Sequence, residues 1–173
     1  MADLTPFALL GLPERFALSE ELVQKGWMNA IARVHPDRFA GRPAAERRVA
    51  EQWAGRINEA RDELVDPVRR ASALLRLRGE DTGSETDTRM DGAFLMQQML
   101  WREQAESLRA SGGTLEPLLA AIGAEREKLI AALIDSLDAN PDTARAREAV
   151  RRLMFVEKIR RDIERGAQNK EDS

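Results

Sequence analysis

Cysteine and tyrosine are missing from this 173-residue chain, and histidine occurs once. Without cysteine there is no disulfide, no thiol nucleophile and no thiolate-held iron–sulfur cluster. One histidine leaves too few imidazoles for a zinc site, so no metal and no cofactor is expected. β-branched residues are sparse and no segment alternates apolar with polar residues, which removes the usual signals of a strand. No apolar run approaches the roughly 18 residues of a membrane span. Neither sign of charge dominates: 27 Lys and Arg against 30 Asp and Glu leave a net −3. Such a chain is a poor general ligand for nucleic acid or an anionic membrane. The opening Met1-Ala2-Asp3-Leu4 has neither the basic start nor the apolar core of a signal peptide. A soluble, cytoplasmic protein is expected, and nothing suggests an obligate dimer, so a monomer is expected too.

Present in abundance are Ala, Leu, Glu, Arg and Gln, all good helix formers. The expected fold class is all-α, in two parts. Thr5-Pro6 opens a short helix that Gly11-Leu12-Pro13 ends. Ser19 caps a second helix, with Glu20 and Glu21 complementing its dipole. Its apolar stripe is Val23, Trp27, Ala30, Ile31 and Val34. A third helix starts near Pro43-Ala44 and carries Val49, Trp53, Ile57, Ala60 and Leu64. Asp66-Pro67 starts a fourth that ends near Leu77. The two long helices should pair as an antiparallel hairpin with Trp27 and Trp53 both in its core. Residues 78–89, rich in Gly, Ser, Thr and Asp, read as a linker. Three amphipathic runs follow (91–110, 114–138 and 141–165), which predicts a three-helix bundle over 90–167. Residues 168–173 read as a frayed polar tail.

The sole histidine lies in His35-Pro36-Asp37, at the end of the second helical run, with Arg38-Phe39 behind it. Three ordinary readings compete here. His35 can cap a helix C-terminus, Pro36 can simply stop the helix, and Asp37 can be a solvated charge. An enzyme using His35 and Asp37 as an acid–base pair is a further reading. The intervening Pro36 should hold the two side chains apart, and no third orienting group recurs nearby. Lys25 and Arg33, eight apart, lie near one face of the same helix, away from the apolar stripe.

A second candidate site emerges from helical phase, at roughly 100° per residue. Phe94, Trp101, Ala105 and Leu108 share a narrow arc, the natural core stripe. Leu95, Met96 and Met99 fall on the other side. On the last helix Ala149, Val150, Leu153, Val156 and Ile163 form a stripe, and Phe155 lies off it. An irregular bundle could bury these extra apolar residues. A contiguous exposed patch would instead mark a partner surface, for which methionine is well suited because it adapts its shape.

The order helix, His35-Pro36-Asp37, basic residue, loop, helix resembles the J-domain, here residues 1–77. The likeness continues in Phe7-Ala8-Leu9-Leu10-Gly11-Leu12-Pro13, in Ala93-Phe94-Leu95-Met96-Gln97-Gln98-Met99 with Arg102-Glu103, and in the run Arg152 to Arg160. Together these resemble the HscB family, the J-proteins of iron–sulfur cluster assembly. The resemblance implies an L-shaped protein, a J-domain joined to a three-helix domain. It implies a non-enzymatic co-chaperone that brings a cluster scaffold protein (IscU-like) to a DnaK-type chaperone (HscA-like) and stimulates that chaperone's ATPase. On this view His35, Pro36, Asp37, Lys25, Arg33 and Arg38 meet the chaperone. Leu95, Met96, Met99 and Phe155 hold the scaffold. A general J-protein that delivers unfolded clients to DnaK and a purely structural helical adaptor are the alternatives. Two features depart from J-domain habit. The second helix is uncharged at Gly26, Met28, Asn29, Ala30 and Ala32, and residue 38 is Arg where Lys is commoner.

Overall fold

The computed structural model describes residues 4–80 and 90–171. Every regular element among them is helical, in two compact units, Met1–Glu80 and Asp81–Ser173.

In the first unit, helix α1 (Pro6–Leu10) starts where the Thr5 hydroxyl accepts the Ala8 N–H at 3.1 Å. Gly11 stops it, at a φ of 65° that favours glycine. Ser19 caps α2 (Glu20–Val34) through the Leu22 N–H. A single turn, α3 (Pro36–Phe39), precedes the 22-residue α4 (Ala44–Val65). Asp66 then caps α5 (Pro67–Leu77) by accepting the N–H groups of Val68 and Arg69. Helix α4 packs against both α1 and α2. Trp27 of α2 meets Asn58 of α4, and Val34 lies near Ala50, so α2 and α4 are antiparallel. Phe7, Phe16, Val23, Leu64, Leu74 and Leu75 fill the core. Arg70 is buried with them. Its guanidinium lies 4.7 Å from the Phe16 ring centroid and donates to the Leu64 carbonyl at 2.6 Å, which offsets part of the penalty for burying a charge.

Two expectations for this unit need correction. Trp27 and Trp53 are not in the core but half-buried on its flanks. The buried positions of the two helices include the small residues Ala30, Ala50 and Ala60, while Gly26 is turned toward Leu10 and Leu12. Each ring is roofed by an arginine instead, Arg61 over Trp27 at 4.9 Å and Arg56 over Trp53 at 5.0 Å. Val49, expected in the stripe, is 51% exposed, while its neighbour Ala50 is buried.

Helices α6 (Gly92–Ser111), α7 (Glu116–Ile134) and α8 (Thr143–Glu171) make up the second unit. Asp91 caps α6, and Gly112 ends it at a φ of 71°. Helix α7 runs into a π-helical turn, Asp135–Ala139, where the sequence suggested continuous α-helix. The widened turn carries both Ser136 and Leu137 into the core. It is held by Asn140, whose N–H donates to the Asp135 carbonyl at 2.7 Å. Helix α8 is antiparallel to α7, with Arg126 beside Glu157 and Asp135 beside Arg145. It is parallel to α6, since Arg152 meets Asp91 and Arg109 meets Ile163. Ile122, Leu133, Leu153, Val156 and Ile159 are fully buried at the centre.

Residues 168–171, expected as part of a frayed tail, continue α8. Gly166 keeps a helical backbone there, without the positive φ that ends α1 and α6. Of the linker expected at 78–89, residues 81–89 lie outside the described residues.

Candidate functional site

His35 closes α2 with an extended ψ of 135°, and Pro36 opens α3, where a missing N–H needs no acceptor. The His35 Nδ1 accepts the Asp37 N–H at 3.3 Å, and the Arg38 N–H donates to the His35 carbonyl at 3.0 Å. Phe39 is half-buried and borders a hollow with Val34, Ala50 and Trp53. The backbone of the turn is therefore fixed by its own residues, and the Asp37 side chain projects outward, 91% exposed.

The expectation that Pro36 separates the side chains of His35 and Asp37 is wrong. Extended backbone at 35 followed by helical backbone at 36 and 37 brings Nδ1 to 3.5 Å from the carboxylate. Yet Nδ1 already accepts the Asp37 amide, so the neutral ring carries its proton on Nε2 and has none to give the carboxylate. A protonated ring could pair with Asp37 only by releasing that amide. The arrangement orders the turn and leaves the acid open to a partner.

Lys25 and Arg33 are exposed on α2, as is Met28 at 56%. Arg38 folds back, and its Nη1 donates to the Ala32 carbonyl at 3.3 Å. No cluster of three or more His, Asp or Glu that could hold a metal ion occurs among the described residues.

In the second unit, Phe94, Trp101 and Ala105 are buried and Leu108 is half-buried, as the phase argument requires. Leu95, Met96 and Met99 are exposed, Met96 and Met99 by more than 60%. Phe155 is half-buried. The parallel register of α6 and α8 sets Phe155, three residues beyond Arg152, at the level of the first turn of α6. Leu100, beyond the four expected residues, is 50% exposed. It stands four residues after Met96, as Met99 does after Leu95, so two adjacent helical rows form one apolar face. Its helical phase was the signal that could have found it. The buried stripe also includes Gln98, whose amide Nε2 has no hydrogen-bond partner among the described residues.

Residues 90–164 match the family model described as the HSCB C-terminal oligomerisation domain. The chain is 48% identical over 164 residues to a co-chaperone protein HscB homolog of Burkholderia thailandensis, covering 94% of this chain and 92% of that one. To the homolog of Bordetella pertussis it is 44% identical over 157 residues, covering 91% and 92%. The chaperone HscB from Vibrio cholerae superposes with a TM-score of 0.82 at 33% identity, covering 95% of this chain and 98% of that one. The human co-chaperone HscB shares the fold, with a TM-score of 0.84 at 21% identity and coverage of 96% and 84%.

Proposed function

The chain belongs to the HscB family of co-chaperones, and from that premise we propose that it stimulates the ATPase of an HscA-like, DnaK-type chaperone and delivers an IscU-like iron–sulfur scaffold to it. One observation carries the reading: the same chain offers an unsequestered Asp37 carboxylate on one unit and an exposed apolar face around Met96 and Met99 on the other. Asp37 engages a basic group of the chaperone's ATPase domain. His35 and Pro36 hold the turn that presents it, and Lys25, Arg33 and Arg38 line the approach. Leu95, Met96, Met99 and Phe155 hold the scaffold. With both partners on one chain, their encounter becomes nearly intramolecular and its rate is set by effective concentration. On this reading the protein works in the cytoplasm as a monomer, without a cofactor of its own. No helix among the described residues is long and apolar enough to cross a membrane.

The test is the steady-state ATPase of an HscA-like chaperone with this chain, with and without scaffold. Asp37→Asn is expected to abolish stimulation while the melting temperature stays put, because exposed substitutions rarely move stability by more than about 0.5 kcal/mol. Full stimulation by that variant refutes the mechanism.

A further inference from the structure

The apolar face assigned above to the scaffold is assembled from two helices far apart in sequence. Leu95, Met96 and Met99 stand near the start of α6, while Phe155 is on α8. Helix starts fray, since their first N–H groups lack intrahelical partners. A face split between a fraying turn and a second helix binds as a unit only if that turn is tied down.

Asp91 and Arg152 supply the tie, 61 positions apart in the chain. The two oxygens of Asp91 divide the work. Oδ1 accepts the Ala93 N–H at 2.8 Å and caps α6, while Oδ2 accepts from Arg152 Nη2 at 3.1 Å. The same Nη2 donates to Glu148 Oε1 at 2.7 Å, one turn back on α8, which orients the arginine before it reaches across. The guanidinium carbon also lies over the ring of the buried Phe94, 5.3 Å from its centroid. Phe94 immediately precedes Leu95. One side chain thus grips the cap of α6, its first core residue and its own helix. Arginine's delocalised charge suits it both to the ring face and to carboxylates.

We infer that Arg152 and Asp91 are positioning residues for the scaffold-binding face, keeping Leu95 and Met96 in register with Phe155. This rests on the assignment of that face to the scaffold. Neither residue needs to touch the scaffold for the effect.

The test is calorimetric titration of the cluster-free scaffold into the full chain, in a double-mutant cycle of Arg152→Gln with Phe155→Ala. Arg152→Gln alone is expected to weaken binding about fivefold, the upper end of what an exposed ion pair supplies. In the Phe155→Ala background it should have less than about a twofold effect, because no second half of the face remains to be aligned. Amide hydrogen exchange of residues 93–99 should accelerate in Arg152→Gln, with residues 118–133 unchanged. Parent-like affinity of Arg152→Gln beside a clear loss in Phe155→Ala overturns the tie alone. An equal loss in both backgrounds also overturns it, since that marks a direct contact or a general loss of structure. Parent-like affinity of Phe155→Ala overturns the face and the tie together. Should Arg152→Gln fail to fold, Asp91→Asn keeps a capping oxygen and removes the charge. The same pattern is expected of it, and parent-like affinity again overturns the inference.

Discussion

Gly26→Ala sets two effects of opposite sign against each other. Gly26 is in the interior of α2, where alanine is normally better than glycine by about 0.8–1.0 kcal/mol. A methyl group there would stand 2.6 Å from the Leu10 backbone oxygen and 3.3 Å from both Leu10 Cβ and Leu12 Cδ2. A backbone oxygen cannot rotate away, so α1 must retreat by about 0.5 Å, dragging the buried Phe7 and Leu10 with it. Overpacking of this kind costs about 1–3 kcal/mol, with the upper half applying where backbone must move. The net expectation is a loss of about 1–2 kcal/mol. A domain of this size loses about 4–8 °C in Tm per kcal/mol. Gly55→Ala is the control. Gly55 is also inside a helix, α4, but an added methyl meets nothing within 4 Å, so it should stabilise by up to about 1 kcal/mol. Urea and thermal unfolding followed by indole fluorescence in a Trp101→Phe background would read the first unit alone, through Trp27 and Trp53. If Gly26→Ala stabilises as Gly55→Ala does, the close approach of α1 to α2 is not a constraint and the reasoning fails.

Gln98→Met should stabilise the second unit by about 1–2 kcal/mol, because it removes a buried amide nitrogen that lacks a partner while keeping the volume. Scaffold affinity should not change, since Gln98 is on the core side of α6; calorimetry and chemical unfolding together check both halves. Phe155→Ala should cost about 2 kcal/mol of scaffold binding, roughly a thirtyfold loss. Only the scaffold-dependent part of the ATPase stimulation should fall with it. Because the ring is half-buried, a modest drop in Tm is expected too, and a collapse of helicity would assign Phe155 to the core. Asp135 accepts hydrogen bonds from Asn140 and Arg145, which lower its carboxyl pKa below 3.8. A lowered folded value means that the contribution is complete above the unfolded value and is lost as pH falls through the folded one. Acid titration of Asp135→Asn should therefore show a shallower loss of stability below pH 3.8 than the parent; identical acid limbs would count against the bond network around the π turn.

Much of this molecule was legible in its sequence because the relevant physics is local. Thr5-Pro6, Ser19 and Asp66-Pro67 start helices through bonds to N–H groups two or three residues ahead, so a short window contains the whole cause. Helical phase separated the buried Phe94 and Trp101 from the exposed Met96 and Met99, because the angle between two residues of a helix depends only on their spacing. His35-Pro36-Asp37 marked its own turn in the same way.

Tertiary packing decided the rest. Periodicity assigns a residue to a face but does not say how near the opposing helix will come. Small residues, Ala30, Ala50 and Ala60, took buried positions on these helices, and Trp27 and Trp53 lie on the flanks and not in the expected core. The π turn and the Asp91–Arg152 tie lay equally beyond a reading of single-helix phase. Each depends on an atom position in three dimensions or on a partner distant in the chain, and neither propensity nor phase along a single helix encodes such a position.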